Sequence, residues 1–183
     1  MSLILSIETS SKNCSVSLSK EGVLLDTIEE NSESFSHAEN LHFFCEQIIN
    51  RSNFSFSKID AYAFSEGPGS YTGLRIGAAA IKGFAFCFKK PVILISTLKA
   101  LAYSYKDKET LLCPLIDSRK GEVYMALYDY NMKNLVPPHA HIISKDSLLD
   151  FLENHKISFF GTGLEKLKQV IHHKNAYFMN NIF

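Results

Sequence analysis

The chain has 183 residues, 46% of them hydrophobic and 21% charged, enough apolar material for one ordinary domain or two small lobes. That composition excludes intrinsic disorder and collagen-like or fibrous structure. Lys and Arg total 19, Asp and Glu total 19, and the formal net charge is zero, so the basic excess of a stand-alone nucleic-acid binder is missing.

Cys14, Cys45, Cys87 and Cys113 form no CxxC pair and sit among apolar residues, which reads as buried free thiols in a reducing compartment. The opening MSLILSIETSS lacks a basic start and a cleavage site and reads as a strand rather than a signal peptide. Ile76 to Phe88 is the most apolar later stretch, but Lys82 interrupts it and it is too short to span a bilayer. These features predict a cytoplasmic protein that is not membrane-bound.

In chain order, Leu3–Glu8 is a short apolar strand. Cys14–Ser19 alternates, with Cys14, Val16 and Leu18 on one side and serines on the other. The turn Lys20-Glu21-Gly22 leads into a strand over Val23–Glu30. Three strands before any helix exclude a Rossmann opening. Leu41, Phe44, Cys45, Ile48 and Ile49 predict a helix from Ser36 to Arg51, capped by Ser34 or Ser36. Ser52–Lys58 is a loop over Phe54 and Phe56, Ile59–Phe64 a strand, and Glu66–Ser70 a glycine-rich turn. A helix follows over Thr72–Phe88, then a strand over Pro91–Ile95 and a short helix over Thr97–Tyr105 capped by Ser96 or Thr97.

The pattern then restarts. Leu111–Ile116 and Gly121–Tyr128 are strands joined by the turn Asp117–Lys120, and Pro137-Pro138 precedes an edge strand over His139–Ile143. Ser144–Asn154 reads as a helix, Ile157–Phe160 as a strand, and Gly161-Thr162-Gly163 as the opening of a helix toward His173. The charged run from Tyr105 to Thr110 reads as a hinge, dividing the chain into lobes 1–106 and 107–183.

The turn EGPGSYTGLRIG has the physics of an anion cradle, with free backbone N–H groups at a helix N-terminus. It is neither a P-loop nor GxGxxG, and a rigid Gly-Pro-Gly turn is its plainer reading. In the helix that follows, Gly73, Gly77, Ala80 and Phe84 share one face, and Leu74, Ala78, Ile81, Ala85 and Phe88 form a second. An interior glycine costs about 1 kcal/mol relative to Ala. The small face is therefore expected to admit a second backbone, the protein's own sheet or another chain.

GPGSYTGLRIGAAAIKGFAF, together with LILSIETSSKNCSVSL, SFSHAENL, KIDAYAFSEGPGS, STLKALA and IDSRKGEVY in the same order, resembles the bacterial TsaB (YeaZ) family across residues 1–130. The resemblance implies an α/β protein of the actin-like ATPase fold (ASKHA, ribonuclease H-like), with two lobes of mixed sheets. It also implies that the second lobe is incompletely covered by this length. By the same resemblance the chain is a non-catalytic scaffold for threonylcarbamoyl transfer to adenosine 37 of tRNA. It would dock the catalytic paralogue TsaD, meet the TsaE ATPase through the complex, form a homodimer in isolation and touch tRNA only indirectly. The implied interface comprises Leu41, Phe44, Cys45, Ile48, Gly73, Arg75, Gly77, Ala80 and Phe84, with Arg75 bracing the interface or pairing with Glu66. Gly77→Leu or Ala80→Arg is expected to abolish partner binding and spare the fold.

Catalytic readings are weaker. His37 and His42 are five apart rather than four, His139 and His141 lack a third ligand, His172 and His173 diverge, and no HExxH exists, so no metal site is predicted. An actin-like phosphotransferase or ATPase is the alternative. Its vestigial nucleotide cleft would use Glu8, Thr9, Ser10, Asp117, Gly161 and Gly163. Lys12 and Arg119 are further polar candidates. No catalytic residue and no cofactor is predicted.

Overall fold

The computed structural model describes residues 2–31, 37–105 and 109–180. These form two compact units, 1–96 and 97–183. The division falls ten residues before the expected 106/107, because the helix Thr97–Ser104 packs on the second sheet rather than the first. The expected caps Ser34 and Ser36 lie outside the described residues.

In the first unit, β1 (Leu3–Glu8), β2 (Asn13–Lys20) and β3 (Val23–Asn31) form an antiparallel meander, and β4 (Ala61–Gly67) and β5 (Val92–Ser96) extend it in parallel. The strand order is β3-β2-β1-β4-β5. Alternation sets the register: Leu5 faces Leu18 and Ile7 faces Val16, with all four side chains buried. Helices α1 (His37–Arg51) and α2 (Tyr71–Phe88) pack on this sheet. Leu41, Phe44, Cys45, Ile48 and Ile49 recur at offsets of three and four and fill the core beside Leu5 and Leu18. Phe54 and Phe56 pack against that core, the latter in a single 3-10 turn, Phe56–Lys58.

The second unit repeats the scheme. After α3 (Thr97–Ser104), the strands β6 (Leu111–Asp117), β7 (Glu122–Tyr128) and β8 (Asn134–Ile142) are antiparallel neighbours. β9 (Ile157–Phe160) and β10 (Ala176–Phe178) add in parallel, for an order of β10-β9-β6-β7-β8. Its two remaining helices are short: α4 (Leu149–Leu152) and α5 (Leu164–Lys168). Residue 148 takes a left-handed conformation that cuts short the helix expected from Ser144. Pro137 and Pro138 lie inside β8 rather than before it, which an edge strand allows because its outer N–H groups need no partner. No helix among the described residues is long and apolar enough to cross a membrane.

Burial pushes the Cys14 thiol up to about 11, with Glu30 and Glu8 adding to the effect, and the Cys45 thiol up to about 12. It raises Cys113 as well. These three are the inert buried thiols the sequence suggests. Cys87 differs: it is exposed on α2.

Candidate functional site

The glycine turn is built around the chain's own backbone. Ser70 N donates to the Ser10 carbonyl at 2.6 Å, and a Cβ on Gly69 would lie 2.4 Å from that same oxygen. A Cβ on Gly77 would lie 2.5 Å from Thr9 Oγ1. Glycine is therefore required at both positions by the segment Glu8–Ser10, which crosses directly over them. The Ser70 hydroxyl accepts from Gly73 N at 3.2 Å and caps α2. Glu8 locks the crossing: Oε1 accepts from Ser10 N at 2.6 Å and Oε2 accepts from the Ser65 hydroxyl. Thr9 and Ser10 are buried. The cradle expected for an anion is thus packed shut by its neighbouring loop, and both Glu8 oxygens are spent on internal bonds.

The second set of nucleotide candidates is equally committed to structure. Asp117 forms an ion pair with Lys166, and its N–H donates to Thr162 Oγ1 at 2.9 Å. Lys166 Nζ also donates to the Arg119 carbonyl at 2.7 Å and to the Ser118 and Glu122 carbonyls at 3.3 and 3.4 Å. It holds the β6–β7 turn together. A Cβ on Gly161 would meet the Leu115 carbonyl at 2.2 Å, and one on Gly163 would meet Val123 at 2.8 Å. These glycines let the loop lie against β6 and are not a ligand turn. Lys166→Met is expected to lower thermal stability by about 1–2 kcal/mol, the worth of charge-assisted bonds at a partly exposed site. The check is a denaturant melt of this variant beside Lys166→Arg, which should lose less.

The predicted interface residues divide sharply. Leu41, Cys45 and Ile48 are fully buried and Phe44 nearly so, which makes them core rather than contact residues. Gly73 and Gly77 face inward, and Ala80 is 6% exposed. Phe84 is half-buried, its ring stacked on Phe56 at 5.1 Å and on Tyr62 at 5.6 Å. Arg75 is exposed, with its guanidinium 5.3 Å from the Tyr71 ring centroid on its own helix and no bond to Glu66. Lys12 and Arg119 are exposed. The small-residue stripe is therefore largely the inner face of α2, used by the protein's own sheet. Among the described residues, no three His, Cys, Asp or Glu side chains converge.

What the two helices present outward is a different set. Between α1 and α2 runs an open apolar groove of about 410 Å³, lined by His42, Ile76, Ala79, Ala80, Gly83 and Phe84. His42 meets the Phe84 ring edge-on at 5.9 Å. Phe43 is 54% exposed and Phe86 89% exposed. A Cβ on Gly83 would touch nothing within 4 Å. Sequence reading missed Phe43, Ile76, Ala79, Gly83 and Phe86, although an interior helical glycine with no crossing backbone was a usable signal.

Comparisons place this architecture among known proteins. Residues 30–179 match the profile of the family described as TsaD: tRNA N6-adenosine threonylcarbamoyltransferase. The chain is 35% identical over 127 residues to the tRNA threonylcarbamoyladenosine biosynthesis protein TsaB of Escherichia coli K12, covering 68% of this chain and 54% of that protein. It is 28% identical over 174 residues to the Bacillus subtilis protein of the same name, covering 92% and 74%. The chain thus spans about half to three quarters of these relatives. A solved Pseudomonas aeruginosa protein, described as similar to peptidase YEAZ, superposes with a TM-score of 0.84 at 27% identity, covering 97% of this chain and 83% of that one.

Proposed function

Because the chain belongs to the TsaB/YeaZ family and has its two-lobed actin-like fold, we propose that it is a non-catalytic subunit in the synthesis of threonylcarbamoyladenosine on tRNA. Its task on this reading is to dock the threonylcarbamoyltransferase paralogue of the TsaD type through the outer faces of α1 and α2. The observation that carries the reading is the groove between these helices, whose apolar lining is open to solvent. Its floor is rigid, because Ala80 packs on the core and Phe84 is held between Phe56 and Tyr62. A rigid apolar floor with aromatic side chains at the rim is what a partner helix needs. The same face would serve a homodimer when the transferase is absent, the TsaE ATPase would join through the complex, and tRNA would be reached through the transferase. The setting is cytoplasmic.

The closed Glu8–Ser10 crossing and the Asp117–Lys166 pair support a scaffold over a phosphotransferase, since carboxylates held in internal bonds are poorly placed to hold Mg²⁺. The test is to mix the chain with the transferase of the same organism and follow size-exclusion chromatography, beside a calorimetric titration with ATP–Mg²⁺. The expected result is a stoichiometric complex and no nucleotide turnover. Failure to co-elute, or turnover that depends on Glu8 or Asp117, would overturn the reading.

A further inference from the structure

The exposed charges beside the groove are segregated by helix. On α1, Glu39 and Glu46 stand exposed seven residues apart, with exposed Phe43 between them. On α2, Arg75 and Lys82 stand exposed seven residues apart, with exposed Ala79 between them, and α2 contains no acidic residue. Seven residues are two helical turns, about 10.5 Å of rise, so each pair forms a rail along one side of its helix. None of the four forms an ion pair among the described residues.

We infer that these rails set the orientation of the docked partner: the transferase presents cations to α1 and carboxylates to α2. This rests on the docking proposed above. Both helices lie inside the stretch that matches the transferase family profile, so the partner has counterpart helices and can pair about a pseudo-two-fold axis. In such a pairing each α1 lies over the other chain's α2, and opposed rails of equal spacing come together. Turning the partner end for end or sliding it across the groove would set like charges face to face, which costs several kcal/mol in a desolvating interface and rejects the wrong pose. Rim charges of this kind act mainly on association rate and lose their effect in salt.

The test uses four variants of the whole chain against the transferase. They are the acidic-rail reversal Glu39→Lys with Glu46→Lys, the basic-rail reversal Arg75→Glu with Lys82→Glu, the exchange of both rails, and Gly83→Leu. Each single-rail reversal should weaken docking at least tenfold at low ionic strength, with most of the gap closing at 0.5 M salt, and the exchange should be weaker still. The exchange is self-complementary, so it separates the occupants. If single reversals impair only self-association and the exchange restores it while transferase binding is untouched, the rails serve a second copy and the inference falls. If Gly83→Leu blocks docking and no reversal matters, the groove stands and the rails merely solvate it. If Gly83→Leu has no effect either, the docking proposal itself has failed.

Discussion

Gly77→Leu should cost the first unit its stability rather than its partner. The Cβ alone would sit 2.5 Å from Thr9 Oγ1, and Thr9 cannot retreat because its neighbours Glu8 and Ser10 are bonded to each other and to Ser65 and Ser70. Overpacking at such a site costs about 3 kcal/mol. Against this stands a gain of about 0.8 kcal/mol from replacing glycine in a helix. The net loss of about 2 kcal/mol corresponds to a fall in Tm of roughly 10 °C for a unit of this size. Thermal melts of Gly77→Ala and Gly77→Leu check it, and both should drop. This reverses the expectation that the substitution would spare the fold. Ala80→Arg is no cleaner a probe, because Ala80 packs on the core.

Gly83→Leu should do the opposite. Gly83 is exposed, on the same helix, with no atom near its missing side chain. Leucine there removes the glycine penalty of about 0.8 kcal/mol and leaves Tm unchanged or slightly higher. The same side chain would fill the groove between His42, Ile76 and Phe84. A helix seated in that groove would be displaced by a full side-chain width, so transferase binding should fall at least a hundredfold. In cells that depend on this protein, threonylcarbamoyladenosine in bulk tRNA should fall accordingly while the protein stays abundant. Two glycines six residues apart on one helix are thus predicted to fail in different ways.

The strands of the first unit were legible because their alternation is strict: Cys14, Val16 and Leu18 could bury only one way. α1 was legible for the same reason, yet its apolar face was assigned to the partner when it fills the protein's own core. α2 defeats that kind of reading. It is apolar on nearly every side, so periodicity cannot tell the buried face from the presented one. The deciding fact, that Glu8–Ser10 crosses Gly69 and Gly77, joins segments about sixty residues apart. β10 went unread because three residues without alternation carry no strand signal, and parallel pairing to β9 alone defines it. The glycine turn was correctly singled out, but its need for glycine comes from a crossing carbonyl and not from an anion.

Calorimetric titration of the transferase subunit into wild-type protein and into Gly83→Leu protein of equal thermal stability is the most direct check on the outward face of α1 and α2. Saturable binding by the wild type and a loss of at least a hundredfold in the variant is the predicted result. Equal affinity for the two proteins would contradict it.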